Sequence, residues 1–114
     1  LREEYDRTMR ALFGPRLERA LEETNAEIEA QAANVAPVEL DQQSVGRLSR
    51  MDAMQAQAMA QAYERRLKAQ KVRIEHALTR LAAGEYGYCT ECGEEIGMRR
   101  LDIDPAAHRC VRCA

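Results

Sequence analysis

The sequence contains no tryptophan, one phenylalanine and four tyrosines in 114 residues. Aromatic side chains make up only 4% of the chain, too few for a large globular core or for a row of base-stacking platforms. Prolines occur only at positions 15, 37 and 105, so long stretches are free to be helical. No apolar run approaches the ~18 residues of a membrane span, and nothing resembles a signal peptide or its cleavage site. Leu1 is not a methionine, so the chain is expected to be trimmed or processed. A basic surplus is also missing. Seventeen basic residues face nineteen acidic ones, a net charge of −2 that argues against direct sequence-specific binding to DNA. There is no glycine-rich phosphate loop and no activated serine, and the only histidines are His76 and His108. The chain therefore offers no catalytic constellation and reads as a non-enzyme.

What it does have is four cysteines in two pairs, Cys89-Thr90-Glu91-Cys92 and Cys110-Val111-Arg112-Cys113, with seventeen residues between the pairs. This is the spacing of a four-thiolate zinc site. Zn²⁺ takes four soft donors in a tetrahedron, and two intervening residues let one tight turn aim both sulfurs at one metal. Gly93 follows Cys92, where such a turn calls for a positive φ. Two disulfides are the competing reading, and a rubredoxin-like iron a lesser one. Paired cysteines with no others in the chain suit a reducing cytosol, which favours one structural Zn²⁺. His108 precedes Cys110 and is a lesser candidate to replace a thiolate, since four cysteines already satisfy the metal. His76 lies in a basic helical stretch and is expected to be solvated.

The remainder reads as helix. Alanine, glutamate, arginine and glutamine dominate the first 83 residues, a bias of long helices and coiled coils. In one arm Leu17, Leu21, Thr24, Ile28, Gln31 and Val35 recur at steps of four and three, a seven-residue seam with two polar positions. In the other, Ala53, Ala60, Leu67, Ile74 and Leu81 recur every seven residues, and Ala56, Tyr63 and Ala77 fill the same face. Met51, Met54 and Met59 are expected to be packing filler. Residues 1–40 carry nine acids against five bases, and residues 41–83 eight bases against four acids, so folding the arms together would set acidic against basic.

Pro37 biases Ala36 away from helix, and Asp41, preceded by Leu40, is a good N-cap for a second helix of Gln42 to Ala83. That helix would be ~60 Å long, ending at Gly84. Gly14-Pro15 is expected to break the first arm, leaving a short separate helix over residues 2–12. Its apolar face, Tyr5, Met9, Leu12 and Phe13, is expected to pack at the base of the hairpin. The expected fold is mainly α, a long antiparallel coiled-coil hairpin with a small C-terminal four-cysteine zinc finger. Its parts are an N-terminal short helix at 1–13, a hairpin at 14–83 with its tip at about 34–46, and the finger at 84–114.

The finger carries a resemblance. Gly87-Tyr88-Cys89, then Cys92-Gly93-Glu94-Glu95-Ile96, Arg99-Arg100-Leu101, Pro105 and the second cysteine pair resemble the zinc finger of the DksA/TraR family. The resemblance implies a bacterial transcription regulator. Members insert a coiled-coil hairpin into the secondary channel of RNA polymerase, act near its catalytic centre, and in many cases work with the alarmone ppGpp in the stringent response. It places the polymerase-directed tip at Asp41, Ser44 and Gly46. Asp41 keeps the family's first tip acid, while Ser44 replaces the second acid and Gly46 the alanine. It places polymerase or effector contacts at Arg66 and Arg73. Asp104 and Ala114 stand where ppGpp-binding members carry an arginine and a lysine, so a weak ppGpp response is expected, because an acid repels a polyanion. The chain is thus expected to be a cytoplasmic, monomeric regulator with no membrane association. A zinc-stapled hairpin adaptor for another protein, or a nucleic-acid-binding zinc ribbon, are the alternatives.

Overall fold

The computed structural model describes residues 2–32 and 47–114; the side chains of 47–49 are outside that description. Three helices follow in order: α1, Arg2–Ala32; α2, Arg47–Ala83; and α3, Met98–Ile103. No described helix is long and apolar enough to cross a membrane. The molecule is a rod, 70 × 27 × 19 Å.

α1 and α2 lie side by side and antiparallel, so contact partners descend one arm as they climb the other. Near the base Arg10 of α1 donates to the carbonyl of Leu81. Farther out Gln70 donates to Thr24 Oγ1 at 3.0 Å, and the Tyr63 hydroxyl to Glu27 at 3.1 Å. Leu17 and Thr24 are buried and Leu21, Ile28 and Gln31 half-buried, as the heptad spacing predicts. Thr24 is tolerated in the seam because Gln70 satisfies its hydroxyl. On α2, Leu67, Ile74, Ala77 and Leu81 are buried. Ala56 is exposed, and Gln57, one turn beyond Ala53, takes that place on the inner face. Val35, the 34–46 tip, and the expected Asp41 cap lie outside the described residues.

Three expectations are overturned. First, Gly14-Pro15 does not break α1, which runs through Pro15. Proline there removes one donor and costs up to ~3 kcal/mol. The carbonyl it orphans is that of Ala11, and Ala11 and Pro15 both face solvent, so water can satisfy it. Met9, Phe13 and Leu17, at 1%, 2% and 1% exposure, lie on one stripe spanning the proline. Burying each contributes ~1.5–3 kcal/mol, which outweighs the local cost only if the helix continues. Second, Met51, Met54 and Met59 point outward, exposed by 59%, 59% and 67%, and fill nothing in the seam. Third, among the described residues no ion pair joins α1 to α2. The bridges that leave the hairpin run to the finger, Arg16 to Asp102 and Arg73 to Asp104.

The base is closed from both sides. Gly84, at φ 75°, ends α2; its amide donates to Leu81 O and that of Glu85 to Arg80 O, the paired bonds of a glycine cap. Arg10 adds donors to the carbonyls of Leu81 and Ala82. The core then passes without a gap from α1 and α2 into the finger through Tyr86, Ile96 and Leu101. Phe13 and Tyr86 stack tilted at 5.5 Å, and Tyr5 meets Tyr88 at 5.3 Å. Leu12, expected on this sticky face, is 48% exposed.

Candidate metal centre

Two knuckles present the four cysteines. In the first, Cys89 N donates to Glu94 O and Gly93 N to Cys89 O, at 2.8 and 2.9 Å. Gly93 sits at φ 79°, a left-handed conformation that glycine takes without strain. In the second, the amides of Cys113 and Ala114 donate to Cys110 O at 3.1 and 3.0 Å. Thr90 ties the knuckles together, donating from both its amide and its hydroxyl to His108 O. Arg100 Nε donates to Arg109 O at 2.9 Å, which braces the approach to the second pair from α3.

The sulfurs of Cys89, Cys92, Cys110 and Cys113 all lie within 4.8 Å of one another, and all four cysteines are free thiols, which removes the disulfide reading. Zn–S bonds of ~2.3 Å in a tetrahedron put sulfurs ~3.8 Å apart, and Cys92 Sγ to Cys110 Sγ is 3.6 Å. The electrostatics fit a cation as well. Burial alone would raise the Cys89 thiol, but hydrogen bonds from backbone amides, Cys110, Cys92 and Glu91 among them, hold it down to about 6. The Cys113 thiol is the donor toward the sulfurs of Cys110, Cys89 and Cys92, and giving up that proton is opposed, so it is pushed up to about 12. Four thiolates this close repel one another, and a divalent ion at their centre is what lets all four ionise. The residues hold one structural zinc ion. With four protein ligands the site is closed, so the ion staples the fold and offers no open position for chemistry.

Around the centre the finger is anchored by neutral hydrogen bonds and by two ion pairs. Tyr86 Oη donates to Pro105 O at 2.8 Å, and burial pushes its phenol well above the usual tyrosine range. Asp104 accepts from Arg73 at 2.8 Å and from Ala106 N at 3.2 Å. Asp102 accepts from Arg16 twice, at its side chain and at its carbonyl, at 2.8 and 2.7 Å. Among the described residues Arg80 Nη2 is the buried side-chain nitrogen that lacks a partner, and burial lowers the pKa of that guanidinium.

The structure thus brings the four predicted ligands together. His108 is half-buried, and burial followed by the charge of Arg109 lowers its pKa; it is not among the clustered ligands. His76 is exposed. Arg66 and Arg73 both face solvent from α2. Arg66 lies 5.6 Å from the Tyr63 ring, while Arg73 is taken up by Asp104. Asp41, Ser44 and Gly46 lie outside the described residues. The sequence alone did not disclose the roles of Arg10, Arg16 and Asp102. Their partners are 71 to 86 residues away, and no periodicity links positions so far apart.

The structure therefore defines a zinc-stapled finger seated on the base of an antiparallel helical hairpin. Residues 84–114 match the prokaryotic dksA/traR C4-type zinc finger. The chain carries a four-cysteine zinc finger of the DksA/TraR family. The RNA polymerase-binding transcription factor DksA of Haemophilus influenzae is 49% identical over 41 residues, 36% of this chain and 28% of that protein. Its Escherichia coli counterpart is 44% identical over 41 residues, 36% of this chain and 27% of that protein. The alignment thus spans well under half the length of these curated relatives. The likeness reaches farther in three dimensions. The structure of transcription factor DksA2 from Pseudomonas aeruginosa matches with a TM-score of 0.77 at 28% identity, covering 93% of this chain and 80% of that one.

Proposed function

We propose that the chain is a non-enzymatic transcription regulator that binds RNA polymerase. The hairpin enters the secondary channel, the tip at Asp41, Ser44 and Gly46 works near the catalytic centre, and initiation at stringent-response promoters is the step it modulates. The observation that carries this reading is the pairing of a DksA/TraR-type finger with a rigid rod. A finger alone could serve many partners. α2 is 37 residues long, so it reaches ~55 Å from its glycine cap, and a probe of that shape suits a narrow channel. The net charge of −2 and the scarcity of aromatics weigh against a nucleic-acid-binding ribbon.

The response to ppGpp is weak in this reading. Arg73 would be the remaining effector cation on α2, and its guanidinium is already neutralised by Asp104. The protein acts as a cytoplasmic monomer, with Arg66 free to face polymerase.

The test is Asp41→Asn. Asparagine caps a helix about as well as aspartate, so stability should move by only a few tenths of a kcal/mol. Polymerase binding should persist, while the effect on transcription from a ribosomal RNA promoter in vitro should drop. Unchanged regulation by Asp41→Asn would reduce Asp41 to a cap. Loss of binding to polymerase in a pull-down competed by another channel-entering factor would separate this reading from the adaptor alternative.

A further inference from the structure

A groove of about 420 Å³ opens between α1 and α3, lined by Leu12, Phe13, Arg16, Met98, Arg99 and Asp102. Its floor is Phe13, at 2% exposure, and its rims are Leu12 and Met98, exposed by 48% and 46%. The groove is preformed. Leu101 seats α3 in the core with no exposure, and Asp102 locks the last turn of α3 to Arg16. Arg16 lies 5.3 Å from the Phe13 ring and shares its charge with Asp102, so that wall is electrically balanced. Arg99 is different. Among the described residues it makes no hydrogen bond and no ion pair, and it stands at the edge of an apolar depression. Two half-exposed apolar side chains beside one uncompensated cation are costly to leave in water and complementary to one kind of occupant.

We infer that this groove is an anchor point for RNA polymerase, receiving an apolar side chain of the polymerase next to a carboxylate that pairs with Arg99. The inference rests on the polymerase-binding reading above and adds a contact at the base of the rod, remote from the tip. Size argues for an anchor within a larger contact. Six lining residues are far fewer than the ~20–30 a side of a self-sufficient interface, so the groove does not support a stable dimer of this chain. It matches a hot spot, a desolvated pocket surrounded by contacts the rest of the rod supplies.

The experiment measures the affinity of the zinc-loaded full chain for polymerase core enzyme, with thermal melts of every variant. Leu12→Gln and Met98→Gln should each weaken binding about ten-fold, and Met98→Leu should bind within about two-fold of the unmodified chain. Arg99→Glu, at an exposed position that folding does not depend on, should weaken binding about ten-fold and reduce its salt dependence. If the unmodified chain binds and all these variants bind equally well, the groove is no anchor, although the polymerase reading stands. If the unmodified chain does not bind polymerase, both ideas fall. If Leu12→Gln abolishes self-association and leaves polymerase affinity intact, the occupant is a second copy and the inference is overturned.

Discussion

Arg73 on α2 donates to Asp104 of the finger at 2.8 Å, and the pair spans 31 residues of sequence. Both side chains are nearly half exposed, so the bridge adds only ~0–1 kcal/mol to stability. Its larger effect is on charge. The acid stands where the DksA/TraR resemblance implies a cation, and it occupies the arginine that the same resemblance assigns to effector or polymerase contact.

Asp104→Asn should therefore free Arg73 at little structural cost. The asparagine oxygen can still accept from Ala106 N, so the melting temperature should fall by no more than a few degrees. Inhibition of a ribosomal RNA promoter, titrated with ppGpp on polymerase lacking its own separate ppGpp site, should become more sensitive to the alarmone. Asp104→Arg with Ala114→Lys should strengthen it further. Strong synergy in the unmodified protein would contradict the charge argument.

Removal of zinc should unfold more than the finger. Cys89 and Cys110 are part of the same buried cluster as Met9, Phe13 and Leu81. A module of about 30 residues buries too little apolar surface to persist alone. Chelation should release one zinc per chain, abolish hydrogen-exchange protection across 84–113, and raise exchange at the base of α1. Helix signal from the outer hairpin should persist. An apo protein with unchanged protection at Tyr86 and Leu101 would show that packing alone suffices.

Pro15→Ala should stabilise the protein. Alanine restores the donor to the Ala11 carbonyl and removes the ring clash, a gain of ~1–2 kcal/mol after the looser unfolded chain is counted. The site is exposed, so no packing is lost. Denaturant melts monitored by circular dichroism would measure the change. A loss of stability would mean that the proline bends α1 usefully against α2.

Gly87→Ala should do the opposite. Gly87 sits at φ 90°, and a Cβ there would stand 2.5 Å from the Tyr5 hydroxyl and 3.1 Å from Met9 Cε. Strained backbone and overlap together should cost ~2–4 kcal/mol. Tyr5→Ala alone loses the ring contact with Tyr88, but in combination it should recover part of the Gly87→Ala loss. A double-mutant cycle with zero coupling would place the strain in the backbone only.

How far the sequence discloses this molecule depends on the range of each interaction. The cysteine spacing fixes the metal site, because each knuckle is four residues long and its chemistry is local. The heptads of Leu17 to Gln31 and Leu67 to Leu81 disclose the hairpin for the same reason. Gly14-Pro15 misleads, because local propensity argues for a break while Met9, Phe13 and Leu17 share one distant core. The segregated charges also mislead. Arg16 and Arg73 find acids, but on the finger, at a separation no periodic pattern encodes. Met51, Met54 and Met59 look like filler by composition, and only the phase of α2 against α1 turns them outward.

Asp102 grips α1 through Arg16 and Asp104 grips α2 through Arg73, with one residue between the two acids. The finger therefore acts as a yoke, holding each arm by its own strap. A lever ~55 Å long converts a tilt of about 5° at such a yoke into roughly 5 Å at its far end. The pointing accuracy of the rod is thus set at its root, where one buried core joins both arms to the zinc-stapled finger and the two ion pairs add to that hold.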